Sequence, residues 1–193
     1  MPAWFADVLR DQSLSDQQLV QLYKHYELLV RWNQRMNLTS LRPGPEMVLR
    51  HYGESLFFGA RLPGTPDSIA DIGSGAGFPG VPIAIQRPSL RVTLVESSQK
   101  KAVFLKEVTR ELTNVSVIAQ RAEEIQEEFD WIVSRAVDPS EVLKLIPRLA
   151  LRVGLMLGED DIPEVKKRSD IAWSEPVRLP WGDRRFCVYG CST

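Results

Sequence analysis

A short apolar run, residues 69–72, leads directly into a loop that carries glycines at positions 73, 75, 77 and 80. Glycine tolerates positive φ and lets the backbone approach a ligand closely, so such a loop is typical of a strand that turns sharply into a helix at a nucleotide-binding site. Pro79 and Pro82 agree with this interpretation, because the first N–H groups of a helix have no partner inside it. The pattern predicts a βαβ unit that binds a ligand at the turn.

Asp71, at the head of this loop, favours a ligand that is cationic. A carboxylate at the mouth of the turn would repel a pyrophosphate, whereas S-adenosylmethionine carries a sulfonium and an α-ammonium and has no phosphate. Gly73, Ser74, Gly75 and Gly77 would then line this cofactor. Residues 75–80 also satisfy the G-x-G-x-x-G spacing of a dinucleotide site, so an NAD-dependent oxidoreductase is the alternative that these residues leave open.

Two later strands add candidate cofactor residues. The run Arg91–Glu96 follows at the spacing of a βαβ unit and ends in a carboxylate, which in such folds hydrogen-bonds the ribose hydroxyls. We therefore predict that Glu96 binds the adenosine ribose. A third run, Val115–Ala119, would deliver Ala122 and Glu123 to the edge of the adenine.

Periodicity divides the chain into an N-terminal helical extension, residues 1–62, and a core, residues 63–193. Ser15 and Gln18 form a capping-box pattern ahead of a long amphipathic helix, and a second helix is expected over about Glu46–Ala60. Strands and helices then alternate, which favours a mostly parallel α/β sheet. The predicted strands are Ser68–Ile72, Arg91–Glu96, Val115–Ala119, Asp130–Ser134, Arg152–Leu157, a weak run near Ala172–Val177, and Arg185–Tyr189. Seven strands match a Rossmann-like class I S-adenosylmethionine-dependent methyltransferase.

Composition narrows the function classes. The chain has 193 residues and a formal net charge of −1, so it is expected to fold as one compact unit without a global positive field. The N-terminus lacks a basic region followed by a long apolar segment, which favours a cytoplasmic protein with no membrane partner. Cys187 and Cys191 have no companion ligands at metal-site spacing, so we predict no metal. Length and balanced charge favour a monomer.

The chain resembles the bacterial 16S ribosomal RNA guanine-N7 methyltransferases, also called the glucose-inhibited division protein B family. The resemblance covers nearly the whole chain. Its carriers are Trp32-Asn33, Asn37-Leu38-Thr39-Ser40, Arg50-His51, Ser55, the block Asp71–Pro82, Arg87-Pro88, Lys100-Lys101, Phe104-Leu105, Arg121-Ala122-Glu123 and Val133-Ser134-Arg135-Ala136.

This resemblance implies methyl transfer from S-adenosylmethionine to N7 of a guanine, with 16S ribosomal RNA or the small ribosomal subunit as partner. It also implies that the cofactor is contacted at Gly73, at Phe78, at Ala122 with Glu123, and at Arg135. Guanine N7 has a free lone pair and no proton, so the reaction needs positioning rather than a general base. Arg135 and His51 are the candidate positioning residues beside the substrate.

Two departures from the family pattern bear on the site. Relatives usually end the fifth strand with a Lys-Gly pair, whereas this chain has Leu157-Gly158, so a basic residue is missing from the rim. The position often occupied by aspartate in relatives is Glu54 here. A protein that keeps the fold and binds cofactor or RNA without turnover therefore remains a further alternative.

Overall fold

The computed structural model describes residues 1–193 and contains a single mixed β-sheet. The strands are β1 Ser68–Ile72, β2 Arg91–Val95, β3 Val115–Ile118, β4 Trp131–Arg135, β5 Arg152–Gly158, β6 Ile171–Trp173, β7 Val177–Arg178 and β8 Arg185–Ser192. They are arranged in the order β3-β2-β1-β4-β5-β8-β6, and β7 pairs with β8. Strands β1 to β5 are parallel, and β8 is antiparallel to β5, β6 and β7.

This sheet confirms the predicted Rossmann-like fold with one difference in strand number. The weak run near Ala172–Val177 forms two short strands rather than one, since Pro176 between them has no N–H to donate to a ladder. The chain order reverses at β1, which has β2 on one side and β4 on the other. In open α/β sheets the crevice at such a switch point, outside the carboxyl ends of the strands, is where ligands bind.

Helices cover both faces of the sheet. They are α1 Ala3–Val8, α2 Asp16–Met36, α3 Pro45–Met47, α4 Glu54–Gly59, α5 Gly80–Gln86, α6 Gln99–Val108, α7 Pro139–Leu143 and α8 Ile162–Val165, with a π-helical turn at Val48–Gly53 between α3 and α4. Short 3₁₀ turns occupy Arg10–Gln12, Ala122–Glu124 and Glu159–Asp161. None of the helices combines the length and the apolar composition that crossing a bilayer requires.

The N-terminal helices share a core with one face of the sheet. The predicted capping box is present, because the Ser15 hydroxyl accepts from the Gln18 N–H and the Gln18 side chain accepts from the Ser15 N–H. The helix expected over Glu46–Ala60 is interrupted by the π turn. Phe5 and Leu29 from the extension lie in the same apolar cluster as Ile69 of β1. The division at residue 62 stays a prediction.

Candidate active site

The loop after β1 is shaped by three glycines with positive φ: Gly73 at 71°, Gly75 at 57° and Gly77 at 89°. A Cβ on Gly73 would lie 2.4 Å from Cγ2 of Val137, and a Cβ on Gly77 would lie 2.7 Å from Cγ2 of Val81. A Cβ on Gly75 would meet only the Gly73 carbonyl oxygen, at 3.8 Å. The loop is therefore backed by protein at two glycines and open at Gly75, where the backbone can receive a ligand.

Asp71 lies beneath the loop rather than on its open side, and its predicted contact with a cofactor stays a prediction. Its side chain is fully buried, and its Oδ2 accepts a hydrogen bond from the N–H of Gly80, 2.9 Å away. Burial raises the pKa of Asp71 to about 7 in spite of this bond. The carboxylate holds the start of α5 beneath the loop. Ser74 is also buried, and its hydroxyl donates to the Asp71 carbonyl at 2.8 Å.

Glu96 lies directly beside the loop, at the carboxyl end of β2. Its Oε2 accepts from the N–H of Gly75 at 2.9 Å, and its Oε1 accepts from the N–H of Ser98 at 2.8 Å. The side chain is nearly buried between these two partners. Each carboxylate oxygen has a second lone pair, so Glu96 can also accept from a ribose hydroxyl.

The remaining predicted cofactor residues lie at the same edge of the sheet. Ala122 is half-buried and Glu123 is exposed in the 3₁₀ turn that follows β3. Phe78 contributes differently, because its ring is buried and stacks on His51 with centroids 4.6 Å apart. Its ring packs into the core against His51 and Tyr52.

Strand register explains why these residues meet. Ile72 is paired with Val95 of β2 and with Ser134 of β4, and Val95 is paired with Ile118 of β3. Four parallel strands thus end level, about 4.8 Å apart. The residues that follow Ile72, Val95 and Ser134 in the chain are Gly73, Glu96 and Arg135. These three residues form one row at this edge of the sheet.

His25 connects the N-terminal extension to the loop, a role that the sequence does not reveal. Its Nε2–H donates to the Ala76 carbonyl oxygen at 3.0 Å, and its Nδ1 accepts from the hydroxyl of Tyr52 at 2.6 Å. The ring is buried, which lowers the pKa of His25 to about 4. A histidine within a long helix has the same sequence pattern whether or not it contacts a ligand loop. Only the tertiary contact with Ala76 shows the role of His25.

Arg135, the last residue of β4, is paired with the buried carboxylate of Glu54. Its Nη2 lies 3.2 Å from Oε2 of Glu54. The same carboxylate also pairs with Arg50 and with Arg185, a residue that the sequence analysis did not place in the site. Arg185 begins β8 and is the register partner of Gly158, a relationship between distant segments that no local sequence signal shows.

His51 lies in the π turn between Phe78 and the open side of the site. Its Nε2 is 2.7 Å from the hydroxyl oxygen of Thr39, and Thr39 is held by Asn33 through two hydrogen bonds of 2.9 Å. Burial, followed by the charges of Arg135 and Arg185, lowers the pKa of His51 to about 3. The imidazole is therefore neutral at pH 7 and presents a flat aromatic face rather than a charge.

An open cavity of about 630 Å³ adjoins this row at Arg135, whereas Gly73 and Glu96 do not line it. Its volume is within the range of small-molecule sites, roughly 300 to 1,000 Å³. The residues that line it are Asn37, Leu38, Thr39, Ser40, Leu41, Arg50, His51, Arg135, Ala136, Val137, Met156, Leu157, Gly158, Asp161 and Arg185. Arg135 and His51, the two predicted substrate-side residues, are both in its wall.

Comparison with known proteins identifies the family. The family model described as rRNA small subunit methyltransferase G, GidB, matches residues 18–160. The chain belongs to the GidB family. A relative named ribosomal RNA small subunit methyltransferase G from Chloroflexus aggregans is 35% identical over 195 aligned positions, which cover 91% of this chain and 82% of that protein.

A second GidB relative of the same name, from Xylella fastidiosa strain M23, is 47% identical over 124 positions, 62% of this chain and 58% of that protein. Solved structures agree on the fold. A SAM-dependent methyltransferase from Aquifex aeolicus has a TM-score of 0.62 at 15% identity and covers 76% of this chain and 93% of its own. A ribosomal protein L11 methylase from Lactobacillus delbrueckii has a TM-score of 0.59 at 14% identity, over 75% and 79% of the two chains.

Proposed function

We propose that this GidB protein transfers a methyl group from S-adenosylmethionine to ribosomal RNA of the small subunit, at N7 of a guanine. The observation that carries the proposal is the row formed by Gly73, Glu96 and Arg135 beside the cavity, in a chain whose relatives are named as small-subunit ribosomal RNA methyltransferases. The nucleobase and the atom follow from the family resemblance.

The residues present suit this cofactor. Gly75 leaves free space above the loop, and the carboxylate of Glu96 is positioned to accept from ribose hydroxyls. Ala122 and Glu123 lie beyond β3, where the adenine edge is expected. The bound group would supply an electrophilic methyl carbon on a positively charged sulfur. Glu96 would suit the ribose of either cofactor, and the membership of the GidB family is what disfavours an NAD-dependent oxidoreductase.

The protein's own part in the reaction is to orient the base and to exclude water. Guanine N7 attacks without losing a proton, so no group in the site has to act as a base. Arg135 is placed to donate to the O6 and N7 edge of a guanine or to hold the cofactor carboxylate, since guanidinium geometry suits both. The neutral ring of His51 offers a surface against which a base can stack.

Three further expectations belong to this proposal. Residues 1–62 act as an extension that shares the core of the methyltransferase domain rather than as a separate domain. The protein works as a monomer in the cytoplasm, where the ribosomal subunit is assembled. The relatives named as methyltransferases favour turnover over a purely binding function.

Calorimetric titration tests the cofactor, with S-adenosylmethionine in one experiment and NADH in another. We expect binding of the methyl donor alone, weakened in Glu96→Gln and unchanged in the surface variant Glu111→Gln. Methyl transfer is then measured on naked 16S RNA and on small subunits, and the modified base is identified by mass spectrometry of nuclease digests. Binding of NADH alone, or a product other than 7-methylguanine, would refute the proposal.

A further inference from the structure

Three guanidinium groups from separate segments meet at one buried carboxylate in the wall of the cavity. Arg50 comes from the π turn, Arg135 from the end of β4 and Arg185 from the start of β8. Nε of Arg50 lies 3.2 Å from Oε1 of Glu54, while Nη2 of Arg135 and Nη2 of Arg185 lie 3.2 and 2.8 Å from Oε2. Glu54 is fully buried, so this convergence is built into the protein interior.

The donors in this cluster outnumber the acceptors. Each guanidinium carries five N–H groups, and a single carboxylate cannot satisfy three of them. Nη1 of Arg135 is buried with no hydrogen-bond partner, on a side chain that is only 9% exposed. Nε of Arg50 and both carboxylate oxygens of Glu54 are also buried without an aligned partner, so the ion pairs of this cluster are not well-formed hydrogen bonds and leave guanidinium donors free for a further acceptor. Buried donors without partners are costly unless a ligand supplies the acceptors.

Charge points to the same conclusion. The carboxylates on the cavity side are those of Glu54 and Asp161, against three arginines, so the local charge is positive. After burial, the charges of Arg135, Arg185 and Arg50 also lower the pKa of His51, so the imidazole adds no compensating negative or positive charge to the cluster. An anion with several oxygens is the complementary ligand.

Strand order distinguishes two possible sources of that anion. The cofactor loop follows β1, whereas Arg185 begins β8, which is separated from β1 by β4 and β5. Arg50, Arg135 and Arg185 all line the cavity, whereas Gly73, Gly75 and Glu96 at the cofactor loop do not. Arg185 also pairs in register with Gly158, next to the position where the family pattern has its missing basic residue. The arginine cluster therefore faces the RNA side of the cavity.

We infer that Arg50, Arg135 and Arg185, held in place by Glu54, form an oxyanion site that takes a phosphate of the target nucleotide. The inference rests on the proposed function and adds the substrate's phosphate to it. Glu54 is a positioning residue, because it contacts the arginines and lies beneath the surface of the cavity. Bidentate guanidinium contacts would fix the nucleotide while its base lies between His51 and the cofactor.

The first test uses the unmodified protein and needs no RNA. Binding of guanosine, guanosine 5′-monophosphate and guanosine 3′-monophosphate is compared by ligand-observed NMR in the presence of S-adenosylhomocysteine. We expect at least one monophosphate to bind roughly tenfold more tightly than guanosine, as one charge-assisted contact implies. Equal occupancy for all three, including no detectable binding of any of them, would count against the site.

The second test uses Arg185→Gln with Arg184→Gln as its matched control. Arg184 is the neighbouring residue, but its side chain is exposed and pairs with Glu159 and Asp160. We expect Arg185→Gln to abolish the preference for the monophosphate and to raise KM for small-subunit RNA about tenfold, with kcat nearly unchanged and a shallower dependence on salt. Arg184→Gln should behave as wild type. Thermal unfolding checks that both variants fold, which we expect because Glu54 keeps Arg50 and Arg135 as partners.

A third comparison identifies the source of the anion. S-adenosylmethionine and its decarboxylated analogue are titrated into wild type and Arg185→Gln. We expect the ratio of their affinities to be the same in both proteins. A change in that ratio would assign the site to the cofactor carboxylate and overturn the inference, and an unchanged KM for RNA in Arg185→Gln would overturn it independently. In either case, methyl transfer by the wild-type protein still tests the proposed function separately.

Discussion

The Nε2–H of His25 donates to the carbonyl oxygen of Ala76 at 3.0 Å and thereby ties the long N-terminal helix to the glycine loop. The two residues are far apart in the sequence, and both are buried. Tyr52, whose hydroxyl donates to the other ring nitrogen, lies in the π turn next to His51. The extension therefore contacts the cofactor loop through His25 and Ala76, and it contributes His51 to the wall of the cavity.

Replacing His25 with alanine should affect both stability and cofactor binding. The change leaves a small cavity and removes the partner of a buried carbonyl, so we expect a loss of roughly 2 to 4 kcal/mol in the free energy of unfolding. The affinity for S-adenosylmethionine should fall about tenfold, because the loop loses one restraint. Chemical denaturation and calorimetry measure the two effects. Tyr52→Phe is the control, since it keeps the bond to Ala76; an equal loss of affinity in that variant would contradict this explanation.

The same histidine should make the protein sensitive to acid. Its pKa is 6.5 in an unfolded chain and about 4 in the folded protein, so the unfolded state binds more protons between these values. Stability is then lost as the pH falls from 6.5 towards 4. Relative to His25→Gln, the wild type should lose about 2 kcal/mol between pH 7 and pH 5. Denaturation midpoints at several pH values measure this difference, and parallel curves for the two proteins would exclude the effect.

The part of the site that the sequence predicts is the part built from neighbouring residues. The loop glycines and Glu96 follow short strands whose apolar runs are visible in the chain, and parallel strands must end at one edge. The contributions of His25, Glu54 and Arg185 depend on contacts between segments that are distant in sequence. No local pattern marks them, because a buried glutamate on a helix has the same sequence signature as a solvated one.

Asp71 shows a different limit. Its position at the head of the loop is predicted correctly, but the direction of its side chain depends on the N–H of Gly80, which becomes available only after the chain has turned into α5. With its carboxylate buried, Asp71 no longer distinguishes a cationic ligand from a pyrophosphate, and Glu96 suits the ribose of either cofactor. The family match carries the ligand class instead.

Gly73 is required by the protein itself and not only by the ligand. Its φ is 71°, and any Cβ would lie 2.4 Å from Val137. Gly73→Ala should therefore lower the free energy of unfolding by more than the roughly 1 to 3 kcal/mol of backbone strain alone, and it should weaken binding of S-adenosylmethionine. Gly64→Ala is a matched control, since Gly64 has a φ of 74° and open space around it. Chemical denaturation and calorimetry of both variants measure these effects.

The double variant Gly73→Ala with Val137→Ala separates strain from collision. Removing the valine methyl groups should relieve the collision. The remaining loss in the free energy of unfolding due to Gly73→Ala should then be similar to the loss caused by Gly64→Ala. The effect of Val137→Ala alone is first subtracted from that of the double variant. If the remaining loss of stability equals that of Gly73→Ala, the contact with Val137 does not cause the loss in Gly73→Ala.

Asp71→Asn should distinguish a supporting role from direct contact with the cofactor. The amide oxygen can still accept from Gly80, so we expect the affinity for S-adenosylmethionine to change little. The pKa of Asp71 is raised from 3.8 to about 7 in the folded protein. Between pH 3.8 and pH 7 the folded state therefore binds more protons than the unfolded state, and the free energy of unfolding falls as the pH rises through this range. Relative to wild type, the variant should gain roughly 2 to 3 kcal/mol of stability between pH 5 and pH 8. A large loss of cofactor affinity at pH 8 would restore Asp71 to the binding surface.

Arg135→Gln should abolish most methyl transfer while the fold survives. Arg135 ends β4 beside the cofactor loop and lines the cavity. Its loss removes the donor that we propose for the guanine or the cofactor, and we expect kcat to fall roughly 100-fold. Glu54 keeps Arg50 and Arg185 as partners, which limits the loss of stability. Arg152→Gln is the control, because Arg152 is exposed at the opposite end of β5. Methyl incorporation into small-subunit RNA, measured beside thermal unfolding, decides the matter: wild-type turnover in a folded Arg135→Gln protein would remove Arg135 from the reaction.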